Sequence, residues 1–188
     1  QDVLSRNPKA KVIFDVKSTR LLAPWIKEHG GDPVMEKTGH SFIKSTMKKT
    51  GALVAGEMSG HIFFKERWFG FDDGMYAGAR LLEILSAFDN PSEVLNKLPQ
   101  SISTPELNID LPEGSNGHKV IEELAANAKF EGATEIITID GLRVEFPDGF
   151  GLMRASNTTP ILVLRFEADT QEAIERIQNQ FKAVIESN

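Results

Sequence analysis

The pattern of apolar runs changes once along this chain, and that change constrains the fold more than any single motif. From residue 11 to residue 88, short apolar or β-branched runs alternate with amphipathic stretches. "KVIFDV" (11–16), "PVMEKT" (33–38) and "ALVAGE" (52–57) read as strands. Between the first two lies "STRLLAPWIKEHGG". Ser18 or Thr19 can cap a helix there, Leu21, Leu22, Trp25 and Ile26 give it an apolar stripe, and Gly30 can end it. "SFIKSTMKKTG" (41–51) is expected to be helical, with Phe42, Ile43 and Met47 inward and Lys44, Lys48 and Lys49 outward. "DDGMYAGARLLEILSAF" (72–88) is a longer helix whose first residues are acidic, as the helix dipole favours. Strands alternating with helices predict an α/β domain with a mostly parallel mixed sheet.

Pro91, Pro99, Pro105 and Pro112 then interrupt the chain, leaving room for a short helix at 92–98 and a boundary at 99–104. Beyond it "PELNIDL" is extended. "HKVIEELAANAKF" puts Val120, Ile121, Leu124 and Ala128 on one helical face. "EIITIDGLRVEF" is a hairpin turning at Asp140-Gly141, "GFGLMRAS" and "ILVLRFEA" are strands, and the end is an amphipathic helix with Ala173, Ile174, Ile177, Phe181 and Val184 in register. This predicts a smaller α+β domain: an antiparallel four-stranded sheet with two helices. The expected domains are 1–99 and 100–188. Charge shifts at the same place: residues 1–99 carry 14 Lys/Arg and 12 Asp/Glu, a net of +2, and residues 100–188 carry 7 and 15, a net of −8.

The balance narrows the function classes. A net charge of −6 argues against a nucleic-acid partner, whose binders present a basic surface. No apolar run is long enough to span a bilayer, so no membrane role is expected. Cysteine is absent, which excludes disulfides and thiolate metal sites and suits a reducing, cytoplasmic setting. An anion held by the acidic second domain needs a few well-placed donors.

Three constellations can carry chemistry. "GEMSGH" (56–61) follows the third strand, where open α/β sheets bind ligands. If the loop is extended, Glu57, Ser59 and His61 share a side. A carboxylate beside a hydroxyl and an imidazole suits a sugar; spacing alone is equally met by a solvated Glu57, a turn-bonding Ser59 and a surface His61. "RASNTTP" (154–160) gathers Arg154, Ser156, Asn157 and Thr158 between two strands, a donor set fit for a phosphate dianion or for an ordinary polar loop. Lys17 and His40, the latter in "KTGHS", would lie at strand ends beside the first loop, although Ser41 as a helix cap explains that segment as well. Phe63, Phe64, Trp68 and Phe71 are expected to pack the loop against its sheet, and Asp72 and Asp73 to serve the helix dipole rather than a metal.

"FDVKSTR", "KTGHSFIK", "GEMSGHIFFKERWFGFDDG" and "RASNTTPILVLRFEA" stand here in the order and spacing of the α-D-phosphohexomutases. Across the whole chain, the sequence most resembles the bacterial phosphomannomutase/phosphoglucomutase branch. That family has four domains, and this chain is similar to the third, which is α/β, and the fourth, a small antiparallel sheet with two helices. The resemblance implies that Glu57 and Ser59 contact the 3- and 4-hydroxyls of a hexose phosphate, with further ligand contacts from Lys17 and His40. It implies that Arg154, Ser156, Asn157 and Thr158 hold the phosphate that is not reacting, and that His61 supports proton transfer.

The family's phosphoserine lies in a "TASHNP"-like loop of its first domain and its magnesium in a "DGDGDR"-like loop of its second. Neither string occurs here. The expectation is therefore a C-terminal fragment of an isomerase that passes hexose phosphates through a 1,6-bisphosphate. The fragment would hold no metal itself, depend on the N-terminal domains as partners, and be inactive alone. The opening "QDVLSRNPKAKVIF", without an initiator Met, fits such a piece. A stand-alone sugar-phosphate-binding module and a phosphoglucosamine mutase fragment are the alternatives; the latter tends to carry "GEQSGH", and Met58 points away from it.

Overall fold

A computed structural model describes residues 1–157 and 159–187 and divides the chain into two compact units, Gln1–Gln100 and Ser101–Asn188. The first unit runs α1 (Asp2–Arg6), β1 (Lys11–Asp15), α2 (Leu22–Glu28), β2 (Asp32–Glu36), α3 (His40–Thr50), β3 (Val54–Gly56), β4 (Ile62–Phe64), α4 (Gly74–Leu85) and α5 (Pro91–Asn96). Its four-stranded sheet has the order β2-β1-β3-β4, with β1 parallel to β2 and β3, and β4 antiparallel to β3. It is the mostly parallel mixed sheet that the alternation predicts.

Side chains alternate across β1, so both faces need cover. Ile13 packs with Ile43, Met47, Ala55 and Phe63 under α3, while Phe14 packs with Leu4 and Ile26 of α1 and α2. Phe42, expected inward, is 44% exposed. The helix starts one residue earlier than expected, at His40, with Gly39 at its N-cap and no side-chain cap. Neither Ser18 nor Thr19 caps α2, which begins at Leu22 behind Leu21; the Ser18 hydroxyl turns back to Asp15 instead.

The aromatic stretch after β4 is only partly core. Phe63 is buried and Trp68 stacks on Tyr76 at 4.3 Å between centroids, but Phe71 is exposed. Behind it, Arg80 is buried with its guanidinium 4.6 Å from the Phe64 ring centroid. It pairs with Asp2 at 3.0 Å and Glu66 at 2.7 Å, so α1, the segment after β4 and α4 are joined through one cation.

The second unit runs β5 (Ile102–Ser103), β6 (Leu107–Asp110), α6 (Gly117–Asn127), β7 (Glu135–Ile137), β8 (Leu142–Phe146), β9 (Gly149–Ala155), β10 (Ile161–Ala168) and α7 (Gln171–Glu186). The sheet is antiparallel, as expected, but has six strands rather than four: the order is β5-β10-β9-β8-β7, and β6 also pairs with β10. The long β10 accommodates β5 and β6 in turn along one edge. Helices α6 and α7 bury Ile121, Leu124, Ile174, Ile177 and Phe181 against one face. Gly151 permits that contact, because a Cβ there would lie 2.3 Å from Cε2 of Phe181.

Candidate functional site

β1, β2 and β3 are mutually parallel, so their C-terminal ends share one sheet edge. Lys17 and Ser18 follow β1, Thr38 and His40 flank the start of α3, and residues 57–61 connect β3 to β4. The polar residues picked out in the first half of the sequence therefore meet where an open α/β sheet offers its crevice.

The 57–61 connection is a hairpin turn, not an extended loop. Glu57 N–H donates to the His61 carbonyl at 2.9 Å and Gly60 N–H to the Glu57 carbonyl at 3.0 Å, while Gly60 takes φ +95°. The chain thus reverses, and simple alternation of sides does not apply. Glu57 is buried at 9% exposure, whereas Ser59 and His61 are exposed. Oε1 of Glu57 is buried and, among the described residues, has no hydrogen-bond partner. Burial, and then the negative charge of Asp15, push the Glu57 carboxyl above its ordinary range; His61, the Gly39 backbone N–H and Lys17 oppose the rise.

Asp15 and Asp72 were not singled out as site residues in the sequence. Asp15 is fully buried and accepts hydrogen bonds from Ser18 Oγ (2.6 Å), Thr38 Oγ1 (3.4 Å) and Met58 N–H (3.1 Å). The available signal was a carboxylate inside an apolar strand, which needs donors to be tolerated there. Asp72, expected to serve the helix dipole, bonds His61 Nδ1 through Oδ2 at 2.7 Å. Its neighbour Asp73 is the N-cap of α4, accepting from Tyr76 N–H. A carboxylate on Nδ1 fixes the imidazole and assigns chemistry to Nε2.

In the second unit Arg154 is the penultimate residue of β9 and is 5% exposed. Its Nε donates to Asp140 Oδ2 at 3.0 Å and its Nη2 to Asp140 Oδ1 at 3.4 Å, so the hairpin turn at Asp140-Gly141 orients the guanidinium. Ser156 Oγ accepts from Thr159 N–H (3.3 Å) and Thr159 Oγ1 (2.9 Å), closing the loop after β9. Ser156, Asn157 and Thr159 border a cleft of about 410 Å³ together with Ser115, Asn116 and Gly117 at the start of α6. Thr158 lies outside the described residues.

A family model described as phosphoglucomutase/phosphomannomutase, alpha/beta/alpha domain III, matches residues 1–102, and the model of the same family's C-terminal domain matches residues 106–184. The chain belongs to the phosphoglucomutase/phosphomannomutase family. It is 92% identical, over all 188 residues, to a phosphoglucomutase of Neisseria meningitidis serogroup A, of which it covers 41%. It is 61% identical over 97% of its length to a phosphomannomutase/phosphoglucomutase of Pseudomonas syringae, of which it covers 39%. A solved phosphoglucomutase/phosphomannomutase family structure from Burkholderia thailandensis superposes over 99% of the chain with a TM-score of 0.93 at 58% identity, and 39% of that structure is covered. The chain thus spans about two fifths of the length of the relatives it matches.

Among the described residues no group of three or more His, Cys, Asp or Glu could hold a metal ion, so they offer no site that fits the magnesium the resemblance implies. Among the described residues, no helix is long and apolar enough to cross a membrane.

Proposed function

We propose that this chain supplies sugar and phosphate recognition to a phosphohexomutase that interconverts glucose and mannose 1- and 6-phosphates through a bisphosphate. The carrying observation is the buried Glu57 Oε1, an acceptor without a donor in a turn joined to two other strand-end loops. A sugar hydroxyl supplies the missing donor, and hydrogen bonding to the charged form counters the burial that favours a neutral Glu57. Ser59, exposed on the same turn, takes a neighbouring hydroxyl. Lys17 and His40 contact the ligand from the other two loops. His61, held at Nδ1 by Asp72, moves a proton at Nε2.

Arg154, Ser156, Asn157 and Thr158 hold the phosphate that is not reacting. Glucose and mannose differ at carbon 2, so a grip on the 3- and 4-hydroxyls accepts both. The phosphoserine and the magnesium belong, in this proposal, to N-terminal domains outside the chain, in a cytoplasmic protein. The 188 residues alone bind hexose phosphate weakly and do not turn it over.

Glu57→Gln in the full-length protein tests the reading. It exchanges a charged acceptor for a neutral one and is expected to lower kcat/KM about 10–100-fold for glucose and mannose phosphates together. Loss with one sugar only would refute the shared grip on hydroxyls 3 and 4.

A further inference from the structure

We infer that Asp15 is the positioning residue of the sugar site, a single buried carboxylate that ties the loops carrying Lys17, His40 and Glu57–Ser59–His61 into one constellation. The inference rests on reading those loops as the sugar site. Asp15 ends β1 with no solvent exposure, in the run Ile13, Phe14, Asp15, Val16, where every other side chain is apolar and buried. A carboxylate is costly in such a place unless donors surround it. Its donors come one from each loop. Ser18 Oγ lies three residues on, Thr38 Oγ1 lies 23 on, and Met58 N–H lies 43 on.

The third contact is the informative one. The Met58 amide sits between Glu57 and Ser59, so one bond from Asp15 fixes the backbone from which both proposed sugar ligands spring. The 57–61 turn has its own backbone bonds, but they stay within the turn or join it to β4. The bond to Asp15 relates it to the end of β1. Thr38 does the same for the segment ahead of His40, where Gly39 stands at φ +132° and no side chain caps the helix. Asp15 also faces Glu57 electrostatically, together with Lys17 and His61. A negative charge there holds the Glu57 proton more tightly, so Asp15 influences both where Glu57 sits and when it ionises.

The test compares Asp15→Asn, Asp15→Ala and Glu57→Gln in the full-length protein, with kcat and KM for glucose 1-phosphate measured across pH. Asp15→Asn keeps an acceptor oxygen for Ser18 and Met58 but removes the charge. It is expected to fold and to move the acid limb of kcat/KM to lower pH, because Glu57 then ionises more easily. The substrate's own titration is common to both proteins and cancels in the comparison. In Asp15→Asn combined with Glu57→Gln the limb should not move relative to Glu57→Gln alone. Asp15→Ala is expected to lose about 10–100-fold in kcat/KM, mostly through KM. If Glu57→Gln lowers kcat/KM while Asp15→Asn leaves both the limb and KM unchanged, the inference fails, whether or not Asp15→Ala folds. If Glu57→Gln itself has no effect, the sugar-site reading fails first and takes the inference with it.

Discussion

Replacing Asp140 with Ala should destabilise the second unit by about 3 kcal/mol and leave the first untouched. The side chains of Arg154 and Asp140 are 6% and 9% exposed and meet through contacts of 3.0 and 3.4 Å. Removing one partner of a buried ion pair leaves a charge without compensation, which costs roughly 3–5 kcal/mol. The second contact is long, which argues for the low end. The aromatic residues provide an internal control. Trp25, Trp68 and Tyr76 all lie in the first unit, and residues 101–188 contain no Trp or Tyr. Tryptophan fluorescence therefore follows the first unit during urea unfolding, while far-UV circular dichroism follows both. A shift confined to the dichroism transition is expected for Asp140→Ala. A double-mutant cycle with Arg154→Ala sharpens the argument: with the guanidinium also gone no buried cation is left uncompensated, so the pair should fall short of additivity by about 2 kcal/mol. Additive losses, or a single-mutant loss below about 0.5 kcal/mol, would refute the claim that Asp140 holds a buried guanidinium.

Gly141→Ala should disturb the same site through the backbone. Gly141 has φ +88° and an added Cβ would lie 2.5 Å from the Met153 carbonyl and 2.7 Å from Arg154 Cα, so a loss of more than about 2 kcal/mol is expected in the dichroism transition. Asp2 makes a pH prediction for the first unit. Bonds to Arg6, then burial working against them, then bonds to Arg80 set its pKa, which is lowered to about 2. A lowered carboxylate pKa stabilises the fold above the ordinary range near 4, and the contribution fades as pH falls from there towards 2. The wild type should exceed Asp2→Asn by on the order of 1 kcal/mol at pH 7, after allowance for screening of a partly exposed group, and the gap in the fluorescence transition should close towards pH 2.

Much of this architecture follows from local pattern. The β-branched runs at 11–16 and 52–57 and the Lys-rich helix after residue 40 are self-announcing, because one face of each must be apolar. α1 carries no such signal: it is five residues long, and its amphipathic pattern is too brief to register. Phe42 departs from the pattern because a stripe drawn from residue 41 includes it, while the helix that begins at His40 turns only Ile43 and Met47 fully inward. Of the two extra strands, β6 falls in the segment already read as extended, and β5, with two residues, is too short to show a pattern. In the site, polar residues of suggestive type were legible, whereas the acids that hold them were not. Asp15, Asp72 and Asp140 find partners 43, 11 and 14 residues away, at Met58, His61 and Arg154. Spacing along the chain says nothing about such pairs until strand register is known.

For Asp140 the register was within reach. Pro147-Asp148 is a two-residue turn, and closing it pairs Phe146 with Gly149. Counting outward from that pair brings Leu142 opposite Met153, and one step further Gly141 opposite Arg154. The Asp-Gly turn, read only as a hairpin signal, thereby lands beside the one arginine of the loop that follows. Gly141 is then required because the Arg154 backbone leaves no room for a Cβ, and Asp140 is the carboxylate brought next to the guanidinium. No such count reaches Asp15. Ser18 and Thr38 lie on crossover connections whose lengths are set by helices α2 and α3, and Met58 lies in the hairpin after β3, so their arrival at one carboxylate depends on how helices and strands pack together. The acid that a hairpin positions can be read by counting; the acid that parallel crossovers position needs the three-dimensional fold.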